Sequence, residues 1–326
     1  MRTLVTGATG LIGYNMVQQL VAGGHEVRVL ARSVDKARAF FANTCTILQG
    51  DVTEPQSLAP AVEGCEIVFH AAGFPEQWMK DPAIFQQVNV EGTRNVLNAG
   101  TSAGVRRVVY TSTIDVFAAR AGESYDESVL DTQPKGTYYE RSKQDADRVA
   151  VEFLSRGMDI VFIHPAGLYG PGPMGSPGVN QLIIDLKKGK IPMLLPGGFP
   201  LVYSEDVARG HLLAASSAAA GDRFILSEGY YDLTEVATIV CKNLGIAKTP
   251  PVMPLWMGKA IAGAGEAISS ITGKPPLIPK GQLHFMQWKA IPKSERANVV
   301  LGWKALPFEE GVKKTISFLE SKGLLS

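Results

Sequence analysis

Thr6-Gly7-Ala8-Thr9-Gly10-Leu11-Ile12-Gly13 stands between a short β-branched run at residues 4–6 and an amphipathic stretch at residues 11–22. The glycine spacing is Gly-x-x-Gly-x-x-Gly. One glycine permits a tight turn, one lets backbone N–H groups approach a pyrophosphate, and one lets the following helix pack closely on the strand. The helix N-terminus then offers unpaired N–H groups and a partial positive charge to the anion. A lone glycine triplet is weak evidence, and a plain strand–helix turn is its bland alternative. Here the strand before it and the helix after it supply the context of a dinucleotide cradle. Gly7, Thr9, Gly10, Leu11, Ile12 and Gly13 are the first candidate binding residues.

Outward from this turn, buried runs at residues 4–6, 26–30, 46–48, 67–70, 107–111 and 160–164 alternate with helical stretches at 11–22, 36–41, 56–62, 84–99 and 138–154. That rhythm predicts βαβ units, hence an α/β fold with a doubly wound parallel Rossmann sheet. Right-handed crossovers place the strand C-termini on one edge, where such sheets bind ligands. After His164, Pro165, Pro171, Pro173 and Pro177 interleave with Gly167, Gly170, Gly172, Gly175 and Gly178, an irregular loop leaving the sheet. Helical patterns follow at 181–188, 232–244 and 308–319, with a run at 201–207 leading into a helix to about 215 and a strand at 224–227. The expected organisation is a dinucleotide-binding domain over residues 1–170, to which the chain returns at about 200–245. A smaller interwoven C-terminal substrate lobe takes residues 171–199 and 246–326.

A hydrophobic share of 45% and a charged share of 19% over 326 residues describe a chain with a sizeable core. Lys+Arg 32 against Asp+Glu 31 argues against a nucleic-acid partner, which needs a basic face. Cys45, Cys65 and Cys241 have neither paired nor ligand spacing, which fits buried thiols in a reducing compartment. Residue 2 already opens a strand, leaving no room for a signal peptide, and a cytoplasmic location is expected. The apolar stretch 252–271 is interrupted by Lys259, Glu266 and glycines, so no membrane span is expected. It reads as a helix covering an apolar pocket, with shallow membrane contact as the lesser alternative. His25, His70, His164, His211 and His284 lack ligand spacing and read as structural; no metal site is expected.

At the end of the second strand, an NAD enzyme usually carries an acid for the adenosine ribose hydroxyls. This chain has Leu30-Ala31-Arg32-Ser33, with Lys36 just beyond. A guanidinium there can bind a ribose 2′-phosphate in a bidentate way, so NADP(H) is the expected cofactor, with NAD the alternative. An ordinary solvated helix start is the bland reading. Asp51 and Val52, after the third strand, are placed to meet the adenine edge, or Asp51 merely caps the next helix.

Tyr139 and Lys143, four residues apart, share one helical face. A free Tyr has a pKa of about 10, and a neighbouring ammonium is expected to lower it. Tyr139 can then serve as acid toward a carbonyl oxygen or as base toward an alcohol. Tyr-x-x-x-Lys is common by chance; its weight lies in following the fifth strand of a glycine-cradled sheet. That strand ends in Thr111-Ser112-Thr113, where Thr113 is the expected hydroxyl donor to the same oxygen and Ser112 the second choice. Asn89 on the preceding helix is expected to bond to backbone or to a relay water.

Together these motifs resemble the extended short-chain dehydrogenase/reductase family over about the first 230 residues. They are Thr6–Gly13, Gly50-Asp51-Val52, Phe69-His70-Ala71-Ala72-Gly73, Asn89 with Gly92-Thr93, Thr111 to Thr113, Tyr139 with Lys143, His164-Pro165-Ala166 and Tyr169-Gly170-Pro171-Gly172. The resemblance implies that Ala71, Ala72 and Gly73 line the adenosine and diphosphate path. It further implies that Pro165 and Ala166 border the nicotinamide and that Lys143 also bonds to its ribose, with Thr111 beside it. Within the family the chain is most similar to the dihydroflavonol-reductase and 3β-hydroxysteroid-dehydrogenase-like branch, which includes bacterial hopanoid-associated sugar epimerase-like proteins. That branch implies carbonyl–alcohol interconversion on a small, largely apolar substrate and often a homodimer through sheet-flanking helices. The alternatives are a nucleotide-sugar epimerase or dehydratase with a retained NAD(P), and a non-catalytic NADP sensor. Phe199 stands where the sugar enzymes place a diphosphate-binding arginine. With Phe74, Trp78 and Met174, it marks the expected substrate pocket.

Overall fold

The computed structural model describes residues 1–173 and 178–326. Seven strands form the central sheet: β1 (Arg2–Thr6), β2 (Glu26–Ala31), β3 (Thr46–Gln49), β4 (Ile67–His70), β5 (Arg107–Thr111), β7 (Ile160–Pro165) and β10 (Arg223–Leu226). The remaining strands are β6 (Ser124–Tyr125), β8 (Gly167–Tyr169), β9 (Gly198–Tyr203), β11 (Gly229–Asp232) and β12 (Ile291–Pro292). The central order is β10-β7-β5-β4-β1-β2-β3, every pair parallel. β4, β5 and β7 are buried at every residue, as parallel strands covered on both faces must be. The order reverses between β1 and β4, so a crevice opens outside their C-terminal ends, Thr6 and His70.

The helices are α1 (Leu11–Ala22), α2 (Val34–Phe41), α3 (Pro55–Val62), α4 (Ala83–Phe85), α5 (Gly92–Ser102), α6 (Tyr138–Ser155), α7 (Val179–Lys187), α8 (Ser204–Ser217), α9 (Leu233–Leu244), α10 (Leu255–Thr272), α11 (Lys280–Gln287), α12 (Glu295–Leu301) and α13 (Phe308–Ser321). One sheet face is covered by α1 and α8 through Met16, Val17, Leu20, Val207 and Ala214. The other is covered by α3, α5 and α6 through Leu58, Val96, Leu97, Ala146 and Val149. A separate core of Ile183, Leu201, Val236, Val240, Phe308 and Val312 holds the lobe around the sheet β11-β9-β8.

The helix expected at 84–99 runs unbroken from Ala83 to Ser102, as α4, a π-helical turn (Gln86–Glu91) and α5. A π-turn inserts one residue into the helical repeat, which a periodicity reading does not register. The stretch 252–271 does form a helix, α10, which packs Leu255, Ile261 and Ala262 against Leu195, Ile278 and Leu283 and buries the small Gly258 and Ser269. No helix among the described residues is long and apolar enough to cross a membrane.

Candidate active site

Each glycine of the opening turn has its own reason. Gly7 has φ 72°, and a Cβ there would lie 2.5 Å from the carbonyl carbon of Ala71. The loops after β1 and β4 thus touch backbone to backbone at the sheet crevice. A Cβ on Gly13 would sit 2.3 Å from the Gly7 carbonyl oxygen, which is the close packing of helix on strand. Gly10 N-caps α1 without a side-chain cap, and the first turn carries no acid. The N–H groups of Leu11, Ile12 and Gly13 therefore face the crevice edge without intrahelical partners. Thr6 and His70 brace the floor: Thr6 Oγ1 and His70 Nδ1 are 2.7 Å apart, and Ala72 N donates to Thr6 Oγ1 at 3.3 Å. These residues fit a dinucleotide pyrophosphate.

Beyond β2, Arg32 and Lys36 are exposed, and neither side chain has an ion-pair partner among the described residues. Ser33 caps α2 by accepting from Lys36 N at 3.2 Å, which leaves both cationic heads at the sheet edge. Asp51 Oδ1 accepts from Thr53 N and Thr53 Oγ1, both at 2.9 Å, so one carboxylate oxygen serves the turn and the other remains. Val52 is buried, with its carbonyl held by Asn95 Nδ2 at 2.9 Å.

The helix carrying Tyr139 starts where it does because Thr137 and Glu140 form a reciprocal capping box, with Glu140 N donating to Thr137 Oγ1 at 3.1 Å. Lys143 is buried under Tyr110 and donates from Nζ to the Thr111 carbonyl at 2.9 Å. Burial lowers its pKa to about 8. The two hydroxyls at the end of β5 diverge. Ser112 Oγ donates to Asp147 Oδ1 at 2.9 Å, and Asp147 is paired with Arg223 at 2.8 Å, away from the crevice. Thr113 instead lies beside the Tyr139 phenol, and its hydroxyl donates to Asp115 Oδ2 at 2.8 Å. Its backbone is fixed as well. Arg223 reaches His164 Nε2 at 3.2 Å, which leaves His164 Nδ1–H to donate to the Thr113 carbonyl at 3.0 Å. Thr111 sends its own hydroxyl to His211 at 2.8 Å and faces the crevice only through its carbonyl.

The electrostatics differ from the sequence expectation in one respect. Burial, and then the Asp115 carboxylate, push the Tyr139 phenol well above its ordinary pKa, with Thr113's hydrogen bond acting the other way. Lys143 is not among the groups that lower it, because its ammonium sits over Tyr110 and on the Thr111 carbonyl. Asp115, in the turn Ile114–Val116, is the residue that sequence reading missed. It is 3% exposed, and its Oδ1 has no hydrogen-bond partner. Burial, then Glu140, raise its pKa to about 7, against the opposing pull of Thr113, Lys135 and Lys143. In sequence it reads as an ordinary turn cap, and only the fold turns it toward Tyr139.

Asn89 projects from the π-turn and fixes the loop after β4. Its Oδ1 accepts from Phe74 N at 2.7 Å, and its Nδ2 reaches Phe74 O at 3.3 Å and Ser142 Oγ at 2.8 Å. It meets backbone, the first of its two expected partners. Among the other expected residues, Phe74 lies edge-on to Phe85, 5.3 Å between centroids, and Trp78 is partly buried on the same loop. Ala71, Ala72 and Gly73 follow β4; Pro165 ends β7 and Ala166 follows it. Phe199 packs against Gly167 and into the lobe core. Met174 lies outside the described residues. No group of three His, Cys, Asp or Glu among the described residues has metal-binding geometry.

Known proteins are similar to this chain. A dihydroflavonol 4-reductase of Synechocystis sp. is 27% identical over 98% of this chain and 94% of its own length. Sterol demethylase protein B of Methylococcus capsulatus is 33% identical over 70% of each. Among solved structures, the UDP-glucose 4-epimerase of Thermus thermophilus, solved with NAD, superposes with a TM-score of 0.78 at 25% identity, covering 98% of this chain and 99% of its own. The profile of one family matches residues 3–226, from the first strand of the glycine cradle through β10. With the cradle, the switch-point crevice and the Thr–Tyr–Lys edge in place, this chain belongs to the NAD dependent epimerase/dehydratase family.

Proposed function

We propose that the protein is an NADP(H)-dependent oxidoreductase that reduces a carbonyl on a small, largely apolar molecule to a secondary alcohol. What carries the reading is the convergence of Thr113, Tyr139 and Lys143 at the end of β5, with Ser112 turned away. Bound NADPH supplies the hydride. Gly7, Gly10, Gly13 and the uncapped start of α1 hold its pyrophosphate, and Arg32 and Lys36 hold the 2′-phosphate. Lys143, which donates to the Thr111 carbonyl, would also bond to the nicotinamide ribose of the bound coenzyme.

A Tyr139 that keeps its proton at neutral pH is an acid, and an alkoxide forming on the substrate is basic enough to take that proton. Thr113 orients the same oxygen. When Asp115 is ionised it draws the Thr113 hydrogen to itself; when protonated it releases that hydrogen toward the substrate. The reading places the enzyme in a reducing compartment, the cytoplasm, consistent with three free thiols. A homodimer through sheet-flanking helices is its proposed assembly.

The test is a screen that first reads bound NADPH by fluorescence, then offers ketones and UDP-sugars. Consumption of NADPH with an apolar ketone and none with UDP-sugars is expected. Turnover of a UDP-sugar without net change in the coenzyme would assign the epimerase reaction instead, and coenzyme binding with no turnover would assign a sensor.

A further inference from the structure

Helix α10 packs Leu255 and Ile261 inward and is apolar on its outer side as well. A surface helix ordinarily buries its large apolar residues and exposes its polar ones. In α10 the buried positions are Gly258, Ala262 and Ser269, while Trp256, Ile268 and Ile271 are 71%, 60% and 84% exposed. Ala260, Ala264 and Ala267 are exposed between them. At 3.6 residues per turn these six positions occupy an arc of roughly 120° that holds no charge. Just beyond the helix, Leu277 is 88% exposed. So much contiguous apolar surface marks a contact face.

The charges around it identify the partner. Between residues 252 and 280 the charged side chains are Lys259, Glu266, Lys274 and Lys280. Glu266 is half-buried and held by Lys280 at 3.2 Å, which leaves Lys259 and Lys274 exposed at the rim. Lys80 adds a further cation: its Nζ would lie 3.7 Å from a Cβ built on Gly273. Large apolar side chains in the plane of a helix, with lysines beside them, match the boundary between lipid headgroups and acyl chains. A second copy fits less well, because the same face offers the lysines no free carboxylate: its one acid between residues 252 and 280, Glu266, is already paired with Lys280.

We propose that the outer face of α10, continued through Leu277, docks the enzyme on an anionic lipid bilayer. The face adjoins the site. After Leu277 the chain enters α11, where a side chain on Gly281 would come within 3.2 Å of the Gln77 carbonyl and of the Thr137 methyl. Gln77 neighbours Trp78, and Thr137 caps the helix that carries Tyr139. An apolar substrate dissolved in the bilayer would thus reach the loop at residues 74–78 without crossing water. Only that delivery step rests on the proposed function; the docking does not.

The experiment is flotation of the full-length protein with vesicles of phosphatidylcholine alone or mixed with phosphatidylglycerol, with no coenzyme or substrate present. Binding to the anionic vesicles that weakens with salt is expected. Ile271→Glu with Leu277→Glu should cut the bound fraction at least ~10-fold with an unchanged thermal midpoint, since both side chains are exposed. Lys274→Glu should weaken binding to the anionic vesicles only. Wild type that stays unbound at every composition, or binding untouched by the double substitution, overturns the proposal. So does sedimentation showing a lipid-free dimer that the double substitution dissociates. NADPH consumption with a water-soluble ketone is read separately, so a failure of docking and a failure of the oxidoreductase reading do not mimic each other.

Discussion

Two adjacent hydroxyls, Ser112 and Thr113, take different jobs because they hydrogen-bond to different carboxylates, Asp147 and Asp115. Thr113→Ala should lower turnover by ~100-fold with little loss of stability, and Thr113→Ser should restore most of it. Ser112→Ala leaves the buried Asp147 short of a donor and should cost ~1–2 kcal/mol in denaturant unfolding, with turnover nearly intact. Asp115 adds pH dependence. The groups facing it are Thr113, Tyr139, Tyr125, Glu140, Lys135 and Lys143. Its folded pKa of about 7 lies above the unfolded value of 3.8, so the folded state binds more protons between the two and stability falls as pH rises through that window. Asp115→Asn should therefore match wild type near pH 4 and exceed it at pH 8 by on the order of 3 kcal/mol in denaturant midpoints. Carbonyl reduction by wild type should decline as pH rises through about 7, the pKa to which burial lifts Asp115, and the same variant should flatten that decline. Tyr139, Lys143 and Thr113 could be proposed from the sequence because the chemistry assigned to them demands a fixed spacing after one strand. Asp115 was not, since its importance comes from burial beside a phenol that is 24 residues away.

At the scale of elements, the turn from β1 into α1 was fully readable, for each of its glycines answers to a contact that any side chain would break. The end of β2 was readable as chemistry: a guanidinium and no carboxylate. Arg32→Asp should move preference from NADP(H) toward NAD(H) by ~10-fold or more in kcat/KM, since it removes a charge-assisted bond and places an anion beside a phosphate. Equal use of both coenzymes before and after would refute the assignment of Arg32. The π-turn at Gln86–Glu91 was not readable, although it is what aims Asn89 at both backbone groups of Phe74. One inserted residue leaves the apolar pattern on either side intact, so periodicity passes over it.

Across the whole molecule, alternation of strand and helix announced the parallel sheet, while the lobe was foreseen only as chain that leaves and returns. Its ties are long-range and lack local signatures. Trp303 is 1% exposed and donates from Nε1 to the Asp206 carbonyl at 2.8 Å, and the Leu306 N–H reaches Asp206 Oδ2 at 2.6 Å. These bonds lock the C-terminal segment onto α8. Trp303→Ala should cost ~3–5 kcal/mol, read as a fall in the thermal midpoint, because a large buried ring and its hydrogen bond vanish together. The apolar content of 252–271 was visible early, yet the face it presents was not. Sequence counts apolar residues; which way they point depends on the small residues that α10 packs inward.

The whole mechanism turns on a neutral phenol giving up its proton beside a reduced coenzyme. Tyr139→Phe removes one oxygen and leaves the ring in place, so single-turnover NADPH oxidation with a ketone, measured alongside NADPH fluorescence titration, isolates that proton. Turnover at least ~100-fold slower with NADPH affinity within about twofold of wild type is the expected result. Undiminished turnover in the Phe variant would show that another group supplies the proton.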